Sequence, residues 1–235
     1  MNVDRRLDEL IAQYELAPEA ARTLSCLLGL ICGDPTAPTT IREPAAAVDA
    51  HVADALVALE LRAVRTARRV ADLGSGAGFP GLVLAVARPE AEIVLVESNH
   101  RKCEFLERAA VKLELANIMV VRERAESWVE GFGTRDLVTA RALAPLPVLV
   151  EYAAPLLAPG GALVAWKGRR DDREEADGAA AAAVTGLEPA EIMSVRPWTG
   201  AEQLHLHLYL KVGLTPNRFP RRPGMARKKP LQASG

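Results

Sequence analysis

The stretch VADLGSGAGFPG, residues 70–81, decides the fold prediction, because it joins a short apolar run to four glycines within eight residues. A strand that enters a glycine-rich turn and leaves as a helix lets backbone amides approach a ligand closely, since no Cβ is in the way and positive φ is tolerated. Gly74, Gly76 and Gly78 form G-x-G-x-G after Asp72 on the predicted strand. This spacing differs from the G-x-G-x-x-G of dinucleotide sites and lacks the G-K-[ST] of a phosphate-binding loop.

Short β-branched runs alternate with amphipathic stretches from residue 69 onward, which is typical of a parallel sheet covered by helices. We predict five strands from these runs, at residues 69–74, 92–98, 117–123, 136–143 and 161–168. Residues 99–116 are predicted to form a crossover helix on the sheet, because their apolar side chains recur along one helical stripe.

Two further strands are expected at residues 191–198 and 202–212, joined as an antiparallel hairpin by a loop around Gly200. The second has the period of two that one buried face requires, with leucines at 204, 206, 208 and 210. We therefore place the alternate side chains on the solvent face, namely His205, His207, Tyr209 and Lys211. The predicted fold is α/β, with a mostly parallel seven-stranded sheet that ends in this hairpin.

The chain is predicted to have three parts. Three amphipathic helices, at residues 4–16, 18–31 and 43–61, form an N-terminal helical cap over residues 1–65. The sheet domain covers residues 66–213, and a basic tail covers residues 214–235. From Lys211 onward seven basic residues face no acid, although the net charge of the chain is −1. Such a tail suits the phosphates of a nucleic acid, and it suits a solubilising surface equally well.

Membrane, disulfide and metal sites have little support. The longest apolar run, LSCLLGLIC at residues 24–32, is about half the roughly 18–20 residues that a membrane span needs. The N-terminus lacks the apolar segment of a signal peptide, so we expect a cytoplasmic protein with no membrane partner. The three cysteines and four histidines show neither CxxC nor H-x-x-x-H spacing, which argues against a disulfide framework and a metal site.

Glu97 identifies the kind of ligand. It lies at the end of the second predicted strand, where a carboxylate can accept hydrogen bonds from both ribose hydroxyls of a nucleoside. The glycine turn has no paired cation to hold a pyrophosphate, so a nucleoside cofactor without phosphates fits better, and S-adenosylmethionine is the common one. A tight turn without a ligand and the site of a dinucleotide-dependent oxidoreductase are the alternatives.

Residues 72–106, DLGSGAGFPGLVLAVARPEAEIVLVESNHRKCEFL, closely resemble the glucose-inhibited division protein B family of bacterial methyltransferases, which modify N7 of a guanine in 16S ribosomal RNA. The resemblance extends to IREP at 41–44, WKG at 166–168 and TPNRFPRRPGMARKKPL at 215–231. It implies a class I S-adenosylmethionine-dependent methyltransferase fold, which is Rossmann-like. It also implies a monomer whose partner is 16S rRNA or the small ribosomal subunit. One departure is GDPTAPTT at 33–40, which has Ala-Pro where relatives carry Asn-Leu.

The resemblance also implies cofactor contacts at Gly74 and Phe79 in the turn and at three later positions, which are Ala125, Glu126 and Arg141. Together with Gly76 and Glu97 they form the predicted cofactor site. Arg141 can pair either with the cofactor carboxylate or with an RNA phosphate.

RNA contacts are predicted for four basic residues, which are Lys167, Arg169, Arg221 and Arg222. Guanine N7 carries a lone pair and no proton, so we expect catalysis by orientation and electrostatics and assign no catalytic residue. Phe79 and Trp166 are candidates to face the purine, with core packing the stronger expectation for Trp166. The competing function is a ribosome-assembly RNA-binding protein that retains the fold without turnover.

Overall fold

A seven-stranded sheet forms the centre of the computed structural model, which describes residues 2–233. The strand order is β3-β2-β1-β4-β5-β7-β6. Strands β1 to β5 run parallel, and β7 is antiparallel to both β5 and β6. The predicted fold, a mostly parallel sheet closed by an antiparallel hairpin, is confirmed. The strands are β1 Arg69–Leu73, β2 Glu92–Val96, β3 Ile118–Val121, β4 Arg135–Arg141, β5 Leu157–Lys167, β6 Leu187–Val195 and β7 Leu204–Lys211.

Helices cover both faces of this sheet. They are α1 Val3–Gln13, α2 Glu19–Gly33, α3 Pro44–Ala47, α4 Asp54–Leu56, α5 Arg62–Thr66, α6 Gly81–Ala87, α7 His100–Lys112, α8 Leu146–Ala153, α9 Asp172–Thr185 and α10 Met225–Lys228. The central strands β1 and β2 are buried at every position after the first, as the unbroken apolar runs of doubly covered parallel strands require. Among the described residues, no helix has both the length and the apolar character to cross a membrane.

The N-terminal helices share a core with the sheet. Leu7 of α1 and Leu24 of α2 lie in the same buried cluster as Val70 of β1 and Ile93 of β2. The division at residues 65 and 213 therefore stays a prediction about sequence segments. Within the first segment, the Glu43 carboxylate caps α3 by accepting hydrogen bonds from the amides of residues 45 and 46 at 3.0 and 2.6 Å.

The single helix predicted for residues 43–61 is wrong in detail. A π-helical turn, Val48–Ala53, separates α3 from α4, and a 3-10 turn, Val57–Glu60, follows. The carbonyl of Ala50 accepts a hydrogen bond from the Arg141 guanidinium at 3.0 Å, and a side chain that inserts into the backbone ladder in this way unwinds a helix locally. The turn brings His51 to the inner side, where it is buried.

The solvent face predicted for β7 is also wrong at three of its four positions, and His205 alone of the four is partly exposed. His207, Tyr209 and Lys211 are buried, at 2%, 3% and 7% exposure, whereas Leu210 is 38% exposed. The reason is that helix α9 packs on this face: Ala181 and Ala182 of α9 lie in the same buried cluster as Tyr209. A Cβ on Gly178 of α9 would stand 2.6 Å from the Tyr209 hydroxyl. The period of two therefore reflects a polar face that is mostly buried and a leucine face that is only partly buried, with Leu206 as its fully buried member.

The three cysteines are free thiols: Cys26 and Cys32 are partly buried, and Cys103 is buried with its Sγ 3.1 Å from the carbonyl of Glu97. Across residues 2–233 no cluster of metal-ligating side chains is present. The basic tail is folded against the domain: Phe219 and Ala226 are 7% and 3% exposed.

Candidate cofactor site

A cavity of about 420 Å³ opens at the carboxyl ends of β1, β2 and β4. The chain turns to opposite sides of β1 to form β2 and β4, and this switch point is where open α/β sheets bind ligands. Four of the seven predicted cofactor residues line it, which are Gly74, Glu97, Ala125 and Glu126. Other lining residues include Ser98, Asn99, Lys102, Glu123, Leu143, Tyr152 and Arg227.

The glycine turn forms the inner end of the cavity. Gly74, Gly76 and Gly78 have φ values of +65°, +57° and +93°, which favour glycine. The amide of Gly74 donates to the carbonyl of Val96 at 2.8 Å, which fastens the turn to the end of β2. A Cβ on Gly76 would meet nothing closer than a backbone oxygen at 3.7 Å, so this residue leaves open space beside the turn.

Asp72, near the end of β1, fixes the glycine turn through hydrogen bonds of its side chain. Its side chain is fully buried, and it accepts hydrogen bonds from the Thr139 hydroxyl at 2.9 Å and from the Gly81 amide at 3.3 Å. Burial raises the pKa of Asp72 to about 6, and these hydrogen bonds oppose the rise. Asp72 thereby joins β1 to β4 and to the start of α6, a structural task that the sequence pattern did not assign.

Glu97 presents its carboxylate to the cavity. Its Oε2 accepts a hydrogen bond from the Gly76 amide at 3.2 Å and its Oε1 accepts one from the Asn99 amide at 2.9 Å. These bonds fix the rotamer of a side chain that is 7% exposed. Each carboxylate oxygen can accept more than one hydrogen bond, so both oxygens retain capacity for ribose hydroxyls.

Glu126 lies on a 3-10 turn, Ala125–Ser127, that follows β3 on the opposite wall. It is 8% exposed, and its Oε1 accepts a hydrogen bond from the Gly224 amide at 3.0 Å. Arg227 completes this wall and donates to the carbonyl of Leu143 at 2.9 Å. Sequence reasoning missed Arg227 as a lining residue, because the tail was interpreted by its charge alone, and it missed Tyr152, which lies on the apolar helix α8.

Phe79 and Arg141 lie elsewhere, in a cluster between the glycine turn and the N-terminal helices. The rings of Phe79 and His51 stack with centroids 4.3 Å apart and planes 9° apart, and the Arg141 guanidinium lies 5.4 Å from the Phe79 ring. Arg141 also forms an ion pair with Asp54 at 2.6 Å. The structure therefore divides the predicted cofactor residues between the cavity and this cluster.

Burial and charge within this cluster shift the pKa values of His51 and Asp54. Burial, assisted by the Arg141 charge, lowers the pKa of His51 to about 4, so the imidazole is neutral at pH 7. Burial raises the pKa of Asp54, and Arg141 opposes that shift. The Thr39 hydroxyl lies 3.2 Å from His51 Nε2, which connects the divergent loop at 33–40 to this cluster.

The predicted RNA-binding residues have different surroundings. Arg169 and Arg222 are exposed, and Arg169 donates to Gln203 at 3.2 Å. Lys167 pairs with Glu174 at 2.6 Å, and Arg221 pairs with the buried Glu151 at 2.5 Å. Trp166 is 6% exposed and donates from Nε1 to the carbonyl of Asp54 at 2.8 Å, which agrees with core packing.

Comparison with known proteins places this site in a family. The family model described as GidB, rRNA small subunit methyltransferase G, matches residues 36–204. The Ribosomal RNA small subunit methyltransferase G of Rubrobacter xylanophilus is 40% identical over 200 residues, which are 83% of this chain and 77% of that protein. Its counterpart from Desulfitobacterium hafniense is 39% identical over 196 residues, 82% of this chain and 81% of that protein.

A solved structure of a SAM dependent methyltransferase from Aquifex aeolicus has a TM-score of 0.55 at 14% identity and covers 71% of this chain and 93% of that one, a likeness of fold alone. The family match includes β1 to β6, the glycine turn and Glu97, whereas α1 and the tail from Gly213 onward lie outside it. The length of that match and the identity to both relatives show that the chain belongs to the GidB family of rRNA small subunit methyltransferases.

Proposed function

We propose that this chain transfers a methyl group from S-adenosylmethionine to N7 of a guanine in 16S rRNA. Family membership supports the reaction class, and one observation supports the cofactor: the Glu97 carboxylate faces a cavity that begins at a turn of three glycines with positive φ. A nucleoside needs both features, a bare turn for close backbone approach and an acceptor pair for its ribose.

The residues present fit this cofactor. Glu97 would accept the ribose hydroxyls, while Ala125 and Glu126 would border the adenine on the opposite wall. The methionine end would extend along Gly74 toward Gly76, where the space beside the turn is open. Phe79 and Arg141 are proposed to act at that end, next to the incoming purine, because the cluster that contains the Phe79–His51 stack follows directly from the glycine turn.

The methyl transfer requires little acid–base chemistry from the protein. When bound, S-adenosylmethionine supplies an electrophilic methyl group on a sulfonium, and guanine N7 already carries the attacking lone pair. The protein must hold the two in line and exclude water. A neutral His51 agrees with this requirement, because an imidazolium would add a second positive charge beside Arg141, whose own charge is paired with Asp54.

RNA binding is proposed for the four predicted basic residues. Arg169 and Arg222 are the two of them that are exposed. Lys167 and Arg221 would have to share their charge with the acids that they already contact. We further propose that the protein is cytoplasmic and that it is a monomer. Gel filtration with light scattering tests the oligomeric state. Phosphate contacts predict binding that weakens steeply as salt is raised.

The decisive experiment incubates labelled S-adenosylmethionine with 16S rRNA, and with small subunits, that lack the modification. Mass spectrometry of nuclease digests should find one new methyl group on a guanine N7, and Gly76→Val should abolish it. Binding of the RNA without any label would instead favour the assembly protein without turnover. A fluorescence response to NADH with none to S-adenosylhomocysteine would favour an oxidoreductase.

A further inference from the structure

The C-terminal segment, defined here as residues 219–229, is fastened to α8 by one buried acid. Glu151 is 1% exposed on a helix whose residues are all buried. Arg221 alone gives its carboxylate three donors: the amide and Nε to Oε1 at 3.0 and 2.9 Å, and Nη2 to Oε2 at 2.5 Å. A buried carboxylate is tolerated only with such partners, so this pairing fixes where the chain crosses α8.

The same segment then reaches the cavity. Gly224, with φ +81°, donates its amide to Glu126, and Arg227 donates to the carbonyl of Leu143. Ala226 between them is 3% exposed and packs in the second core cluster, which includes residues of α8. The wall that borders the proposed adenine position is therefore built partly from a segment that the family match does not include.

The segment adds a cation and a hydrogen-bond donor to the wall. Three carboxylates line the cavity, from Glu97, Glu123 and Glu126, against Lys102, Arg124 and Arg227. Glu126 has the Arg124 guanidinium at 4.0 Å, and from the segment it receives the closer Gly224 amide at 3.0 Å. A planar guanidinium also offers a flat surface on which an aromatic ring can stack, which suits the adenine end of a nucleoside.

We propose that Glu151 is a positioning residue for the cofactor cavity: it holds Arg221, and through it the C-terminal segment, so that Gly224 and Arg227 complete the wall at the nucleoside end. The inference rests on the proposed function, because it takes the cavity to be the S-adenosylmethionine site. Glu151 itself touches neither the cavity nor any proposed substrate.

The test measures dissociation constants of S-adenosylhomocysteine and of adenosine by calorimetry. Arg227→Ala and Glu151→Gln should each weaken both ligands by a similar factor of about five to ten, since each removes or misplaces the guanidinium on which the adenine would stack. The double variant should bind each ligand with the same affinity as the single variant that binds it less tightly, because Glu151 acts through the segment that carries Arg227. A role confined to stability would not produce this coupling or the equal loss for adenosine.

Lys228→Ala is the matched control, because it removes the same charge from the same segment, and its dissociation constants should stay within about twofold of wild type. Circular dichroism identifies variants that are unfolded at 25 °C. If Glu151→Gln is unfolded, the test depends on Arg227→Ala, and an unchanged ligand affinity in that variant overturns the inference. Unchanged affinity in both single variants, or losses that multiply in the double variant, overturn it while the proposed function stands. A wild-type protein that binds neither ligand overturns both.

Discussion

Arg141 and Asp54 form a buried ion pair that should respond asymmetrically to removal of either partner. The pair joins the end of β4 to the helix after the π-helical turn, at 2.6 Å, with side-chain exposures of 19% and 9%. Asp54→Ala leaves a guanidinium that cannot lose its proton, and we expect a loss of about 3–5 kcal/mol in the free energy of unfolding. Arg141→Ala leaves a carboxylate that can take up a proton, so a loss of about 2 kcal/mol is expected.

Denaturant unfolding at pH 7 measures both losses, and the double variant completes a thermodynamic cycle. The double variant should lose less than the sum of the single variants, because it leaves no unpaired charge. Arg170→Ala, which breaks a pair in which the arginine side chain is 50% exposed, is the control and should cost less than about 1 kcal/mol.

The pH dependence sharpens this prediction. Burial already raises the pKa of Asp54 in the folded protein, and loss of Arg141 raises it further. A folded pKa above the unfolded one adds stability at low pH that is lost as pH rises. The deficit of Arg141→Ala relative to wild type should therefore shrink as pH falls from 7 toward 4. An Arg141→Ala loss equal to or larger than that of Asp54→Ala, or a deficit that grows in acid, would refute this reasoning.

Three further predictions concern the cavity. Asp72 has a folded pKa of about 6, raised from its ordinary value of 3.8, so its contribution to stability is complete below the unfolded pKa and falls by about 3 kcal/mol as pH rises from there through 6. Urea unfolding from pH 4 to 7 should show this fall in wild type and not in Asp72→Asn. Gly78→Ala should lower the melting temperature more than Gly76→Ala, because both suffer about 1 kcal/mol of left-handed backbone strain but only the former drives a Cβ into the side chain of the fully buried Leu82. Equal melting temperatures would contradict the packing of the turn. Glu97→Gln should weaken S-adenosylhomocysteine about tenfold in calorimetry, with Glu123→Gln on the cavity rim as control, and an equal effect of the two would remove the ribose role of Glu97.

The sheet was predictable because its signals are local. The apolar runs of β1 and β2 and the glycine turn between β1 and α6 each show their structure within ten residues of sequence. The burial of His207 was not predictable in this way, because it depends on α9, whose alanine-rich sequence has little amphipathic periodicity. Whether a strand face is covered is decided by an element elsewhere in the chain.

The path of the C-terminal segment also escaped prediction, although the sequence contains a usable signal. Glu151 is the single charged residue in LPVLVEYA, residues 146–153, and an acid in an otherwise apolar helix indicates a buried partner. Its partner lies 70 residues away in sequence, among several arginines in one tail. The choice of Arg221 among them is made by tertiary packing.

The strand order has a consequence for shortened chains. Strand β6 pairs with no strand other than β7 within the described part of the chain, so its only attachment to the sheet passes through a strand that is synthesised after it. A protein that stopped just before residue 204 would lose one strand from its sequence but two from its sheet. It would also leave the long edge of β5 unpaired, which is an opening for association with other chains.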